Sequence, residues 1–227
     1  MNLRRPFRNR HDAGKMLARV LAKYAWPPGT MVLALPRGGV TVAFEIAAVL
    51  HLPLDVCVVR KLGVPWQPEL AMGAIAGGGV AVIHEDVISD LGISQQEIER
   101  EVAWEQKELE RREKAYREGR PPLNLEGKTV IVVDDGIATG ATAEAAVKVL
   151  RRQGASRIVV AAAVASPSTV QSLSREADEV VCVLEPESLS SIGEWFDDFE
   201  QVSDEEVRSL LARSEEALHA GASSDHQ

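Results

Sequence analysis

Aromatic rings, cysteines and long apolar runs are all scarce in this chain, and each shortage excludes something. Aromatic residues are 4% of the 227. The 45% that are hydrophobic must therefore build a mainly aliphatic core, as a parallel sheet under small-residue helices does. The only two cysteines, Cys57 and Cys182, stand in apolar strand-like runs without metal-ligand spacing. They read as reduced core residues, so neither a disulfide framework nor a zinc site is expected. No apolar run approaches the ~20 residues that span a bilayer. The opening MNLRRPFRNR is basic but lacks the apolar stretch of a secretory signal, so no membrane association and a cytoplasmic location are expected. Positive charge is short as well. With 34 acidic against 25 basic side chains the net charge is −9, which speaks against a general nucleic-acid binder.

What is present is an alternation of strands and helices. Apolar runs at 31–35, 54–59, 130–133, 157–164 and 179–184 read as strands, with helical segments between them. That order predicts an α/β fold: a doubly wound, mainly parallel five-stranded sheet with helices on both faces. We expect a single domain over 1–212 with its core at about 30–184, then a helix end and a disordered tail over 213–227. Residues 11–25 have helical spacing; Arg4, Arg5, Arg8 and Arg10 before them read as a solvated basic end. The stretch Leu62–Leu70, with Gly63, Pro65, Trp66 and Pro68, reads as irregular. Ala71–Ala76 and Val80–His84 flank Gly77-Gly78-Gly79 as a β-hairpin, and His84 reads as structural. Ser94–Glu118 is the longest predicted helix, with a Ser94–Glu97 capping box and pairs at Glu108–Arg112, Glu110–Lys114 and Glu113–Arg117. Its stripe Ile98, Val102, Leu109 and Tyr116 is compatible with a homodimer contact. No pattern dominates 185–201. Ser203 and Glu206 cap a last helix ending near Leu218, and 221–227 should be the disordered tail.

The chemistry concentrates in Val130–Thr142, VIVVDDGIATGAT. Four apolar residues fit a buried parallel strand. Asp134 and Asp135 follow at its carboxyl end, where open α/β sheets bind ligands. The small-residue turn Ala138-Thr139-Gly140-Ala141-Thr142 then opens an alanine-rich helix, so its N–H groups form a site for a phosphate. The carboxylates are suited to accepting from hydroxyls or to facing a hydrated metal. A second strand–turn–helix carries Pro36-Arg37-Gly38-Gly39, without the spacing of a Walker or dinucleotide loop. Arg60-Lys61 closes the run 54–59.

The acid pair with its T-G-x-T turn resembles the 5-phosphoribosyl-1-pyrophosphate (PRPP) signature of type I phosphoribosyltransferases. The P-R-G-G loop, Arg60-Lys61-Leu62-Gly63 and the 185–201 region extend the resemblance over Phe7–Leu211, to an uncharacterised bacterial branch of that family. It implies that Asp134 and Asp135 take the ribose 2- and 3-hydroxyls and that Ala138, Thr139, Gly140, Ala141 and Thr142 take the 5-phosphate. It implies further that Gly38 and Gly39 donate N–H groups to the pyrophosphate behind a cis Pro36–Arg37 bond, and that Arg37, Arg60 and Lys61 neutralise the leaving group. Mg²⁺ would bridge donor oxygens, near Asp134 and Asp135. Leu62–Leu70 would be a lid, with Glu69 orienting Arg60 or Lys61. Residues 185–201, with the N-terminal segment, would form a hood over a small-molecule nucleophile at Leu189 or Ile192, near Trp195. Gly136 departs from the pattern, where the family has a larger apolar residue. Ala138 replaces the acid that some purine enzymes place before the turn, so Glu194, Asp197 and Asp198 are the candidate bases. The implied activity is phosphoribosyl transfer to a nitrogen nucleophile; a PRPP-sensing regulator and a hydrolase are the alternatives.

Overall fold

The structure, a computed structural model, describes residues 6–25, 27–77, 80–117 and 119–224. A five-stranded parallel sheet forms its centre: β1 (Thr30–Ala34), β2 (Leu54–Val56), β6 (Thr129–Asp134), β7 (Arg157–Val164) and β8 (Glu179–Leu184), in the order β2-β1-β6-β7-β8. Period-two alternation divides the buried strand residues between two cores. Val32, Ala34, Ile131, Val133, Val159 and Ala161 face one side. There they meet Leu17 of α1 (Arg10–Val20), Ile46 of α2 (Gly38–Leu50) and Leu210 of α7 (Asp204–Ser224). Met31, Leu33, Val130, Val132, Ile158 and Val160 face the other, under Ala146 and Leu150 of α5 (Ala141–Arg152) and Leu173 of α6 (Pro167–Leu173). Small alanines let α5 lie close, which is how the chain fills this layer with few aromatics.

From β1 the chain crosses through α2 to β2 on one side; from β6 it crosses through α5 to β7 on the other. The strand order therefore reverses between β1 and β6. Such a switch point opens a crevice at the strands' carboxyl ends, and both the 36–39 loop and the 134–142 stretch emerge there.

The sequence reading of 54–70 needs correction. The run 54–59 is not one strand: the chain leaves the main sheet after Val56. β3 (Val59–Val64), β4 (Gln67–Ala76) and β5 (Val80–Ile83) form a separate antiparallel sheet. The candidate lid Leu62–Leu70 is thus two arms of a hairpin around Pro65 and Trp66, with Leu62 and Val64 fully buried. Its glycine and prolines misled because they sit at a turn and in a bulged stretch. Register shifts fall at Gly63, and Pro68 lies between the paired Gln67 and Ala71, where β5 does not reach. There proline breaks no ladder. The β4–β5 hairpin is as expected, although its Gly78 and Gly79 lie outside the described residues.

Helix α3 (Glu85–Leu91) has no counterpart in the sequence reading. α4 (Gln95–Arg117) matches the long helix, and its capping box forms: Ser94 N donates to Glu97 Oε2 at 2.9 Å and Glu97 N to Ser94 Oγ at 3.3 Å. Glu108–Arg112 pairs as expected, at 2.8 Å. Arg117 instead turns inward to Asp55, at 3.0 Å. α7 runs past Leu218 to Ser224, so part of the expected tail is helical; 225–227 lie outside the described residues.

Candidate active site

The two loops at the switch point touch. A Cβ added at Gly39 would lie 2.6 Å from the Val133 carbonyl oxygen and 3.0 Å from Asp134 Cα. One at Gly38 would lie 2.7 Å from Asp135 Cγ. Only glycine allows α2 to begin this close to the end of β6. Pro36–Arg37 is cis, as the resemblance implied. The glycine pair, with the first N–H groups of α2, therefore stands against the carboxylate pair.

Asp134 ends β6, and its Oδ1 accepts from Asp135 N at 2.8 Å. Burial, and next the charge of Asp135, push the Asp134 carboxyl well above the ordinary carboxylate range. Asp135 Oδ2 accepts from Arg10 Nε at 2.6 Å, with both side chains largely buried. This corrects the reading of Arg10 as part of a solvated end. Arg10 Nη1 also donates to the Glu200 carbonyl oxygen at 2.7 Å, and its guanidinium lies 3.7 Å from the Phe199 ring centre. Arg8, by contrast, is exposed.

The Ala138–Thr142 turn follows on the same strand. Gly140, at φ +85°, occupies the position before α5, a left-handed conformation that favours glycine. Ala138, Thr139 and Thr142 are exposed. The turn is held from behind: Ile137 N donates to Val164 O at 2.8 Å, and Thr169 Oγ1 donates to Ala138 O at 2.8 Å. The first N–H groups of α5 have no acceptor within the helix; Ala141 N donates to Thr139 Oγ1 of the turn at 3.5 Å.

The cations separate. Arg60 and Lys61, neighbours in sequence, point to opposite faces of β3. Arg60 Nε meets Glu105 of α4 at 2.5 Å. Lys61 lines a cavity of about 50 Å³ with His84, Ala141, Glu144 and Lys148, beside the start of α5. Arg37 Nη1 lies 3.6 Å from Asp204 Oδ1. That acid sits below its ordinary range through the Tyr116 hydroxyl, then Arg37, Arg111 and Arg112. His84 faces the Ala71 carbonyl oxygen at 3.3 Å and accepts from Lys148 Nζ at 3.3 Å, in line with a structural role. The side chain of Glu69 lies outside the described residues.

Residues 185–201 are irregular apart from a 3-10 turn at Gly193–Trp195. They lie against the N-terminal segment: Phe7 N donates to Trp195 O at 3.2 Å, Asp197 N to Phe7 O at 2.9 Å, and the Phe7 and Phe196 rings pack 5.1 Å apart. Ile192 reaches the site. A Cβ at Gly136 would come within 2.8 Å of Ile192 Cδ1 and 3.0 Å of Val164 Cγ1. The space left by the missing side chain at 136 is taken by Ile192, 56 positions later. Glu194, Asp197 and Asp198 are exposed. Among the described residues no cluster of three or more acids, histidines or cysteines could cage a metal, and no helix is long and apolar enough to cross a membrane.

Thr169 escaped the sequence reading, and Arg10 stood there only as part of a basic end. Ile192 was one of two candidates beside the nucleophile, but its place against the odd Gly136 was not foreseen.

The chain is similar to known proteins over most of its length. A crystal structure of TT1426 from Thermus thermophilus is similar at a TM-score of 0.84 and 42% identity, over 91% of this chain and 98% of that one. Two Mycobacterium tuberculosis proteins, from strains H37Rv and CDC 1551, carry the names "Putative phosphoribosyl transferase Rv0571c" and "Putative phosphoribosyl transferase MT0597". Each is 45% identical over 208 residues, 92% of this chain but 47% of the relative, so the chain spans about half the length of these curated relatives. The family model described as phosphoribosyl transferase domain matches residues 9–199, most of the chain, and the chain therefore belongs to the phosphoribosyl transferase domain family.

Proposed function

We propose that the chain transfers the phosphoribosyl group of PRPP to a nitrogen nucleophile, a nucleobase or related small molecule, and releases pyrophosphate. One observation carries this reading: the glycine pair abuts the carboxylate pair at the switch point, with the T-G-x-T turn on the same strand. Two anion-binding turns then flank a pair of hydroxyl acceptors, the order of groups along a ribose with phosphate on C5 and diphosphate on C1.

In this reading Asp134 and Asp135 hold the ribose hydroxyls and offset positive charge developing at C1. The turn Ala138–Thr142 binds the 5-phosphate, and Gly38 and Gly39 donate to the departing diphosphate. Such chemistry needs positioning and fixed charge more than covalent help from the protein. Arg37, loosely paired, swings readily to the leaving group. Lys61 serves from the α5 side, and Arg60 must first leave Glu105. Ile192 walls the acceptor side. Two adjacent carboxylates at the end of β6 suit a hydrated hard cation; Asp134 and Asp135 would be the residues to hold Mg²⁺, which would supply neutralisation of the diphosphate charge.

The test is pyrophosphate release from PRPP with Mg²⁺ across a panel of nucleobases. Release that requires a base supports transfer. Release without any base means a hydrolase, and binding without release means a sensor.

A further inference from the structure

We propose that Arg10 is a positioning residue for the ribose: it fixes Asp135 and ties it to the segment covering the acceptor side. The inference rests on the reading that Asp135 accepts from ribose hydroxyls. Arg10 is the first residue of α1, and Asn9 caps that helix by accepting from Asp12 N at 3.0 Å, so its backbone is anchored. Its guanidinium has three partners from two distant parts of the chain. Nε donates to Asp135 Oδ2 at 2.6 Å, Nη1 donates to the Glu200 carbonyl oxygen at 2.7 Å, and the cation lies over Phe199 at 3.7 Å. It also abuts the glycine loop, since a Cβ at Gly38 would sit 3.0 Å from Arg10 Nε.

At 11% exposure for Arg10 and 14% for Asp135, the pair is well removed from water. A charged hydrogen bond there holds its geometry far better than one on the surface. Because Arg10 takes Oδ2, the carboxylate's rotation is set, with the Asp134 carboxyl as its other side-chain partner. That fixed orientation is what a ribose hydroxyl would meet. The same guanidinium grips residues 199–200, so the covering segment and the ribose acceptor move as one. A lysine would keep the charge and lose the planar fork needed for three simultaneous contacts.

The experiment is calorimetric titration of the unaltered protein, Arg10→Lys and Arg10→Ala with PRPP and, separately, inorganic pyrophosphate, all with Mg²⁺. For Arg10→Ala the PRPP dissociation constant should rise at least tenfold while that for pyrophosphate stays within about twofold, and Arg10→Lys should lose about threefold or more for PRPP alone. A general loss of stability would weaken both ligands and would not produce this split. Equal losses for both ligands, unchanged PRPP affinity, or tighter PRPP binding in Arg10→Ala would each overturn the inference; the last would make Arg10 a plug. If Arg10→Ala does not fold, Arg10→Lys decides, and full PRPP affinity in it overturns the inference. An unaltered protein that binds no PRPP overturns the proposed function and this inference together, whereas normal binding that is indifferent to position 10 sinks the inference alone.

Discussion

Replacing Gly39 by alanine puts a methyl group where the backbone of β6 already runs, 2.6 Å from Val133 O and 3.0 Å from Asp134 Cα. Neither atom can yield without moving the central strand. The start of α2 must therefore lift, and overpacking of this kind costs ~1–3 kcal/mol or more. The ~0.5–1 kcal/mol gained by removing a helical glycine offsets part of it. For a chain of this length ~1 kcal/mol corresponds to ~2–4 °C in Tm, so a fall of several degrees is expected. Gly38→Ala is the companion variant. Its methyl meets the end of the rotatable Asp135 side chain, which can turn away by giving up the Arg10 bond, a charged contact of order 1.5–3 kcal/mol, against the same helical gain. Both variants should lose PRPP affinity, Gly39→Ala by displacing the N–H donors and Gly38→Ala by displacing the carboxylate. Scanning calorimetry and PRPP titration of the two read this out. A Gly39→Ala protein with unchanged Tm and unchanged PRPP affinity would show that the glycine loop is not seated on β6 and that the two loops do not form one site.

Other perturbations test the remaining parts. Burial and the charge of Asp135 raise the folded-state pKa of Asp134, so the folded state favours the protonated acid. This contribution is fully present below the unfolded carboxyl pKa of ~3.9 and is lost as pH rises through the folded value. Asp134→Asn should therefore raise Tm at pH 8, with the gain vanishing toward pH 3 and PRPP turnover falling; equal Tm values at both pH values would contradict it. Asp135→Asn should weaken PRPP binding or turnover more than tenfold, ~1.4 kcal/mol, and unchanged titrations would remove the ribose assignment. Arg37→Ala breaks a partly exposed pair with Asp204, so Tm should hold within ~1 °C while kcat falls more than PRPP affinity; an equal loss in both would mean plain anchoring. Gly136→Ala should crowd Ile192 and lower Tm, and adding Ile192→Ala should recover most of the loss. Additive losses in the double variant would show that the two positions do not share that space.

The strand, acid pair, turn and helix of 130–152 were readable because each is set by neighbours: a buried apolar run, two carboxylates at its end, and small residues where N–H groups must stay open. The doubly wound parallel sheet followed from the same alternation, whereas its strand order came only with the fold. Arg10 was not readable. Nothing in RNRHD separates an arginine that finds a carboxylate 125 positions away from one in water, because burial is decided by which segments the fold brings together. Arg60 and Lys61 looked like a joint clamp as neighbours, but once β3 is a strand its two-residue period sends them to α4 and α5 respectively. Glycine and proline in 62–70 read as breakers because local propensity cannot see the partner strand that makes a bulge harmless. The sequence alone therefore determined which groups offer carboxylates and open N–H donors at the strand ends, a matter of short-range chemistry. Only the tertiary structure decided which of them face each other, and what else competes for their charges, because those are contacts across the chain.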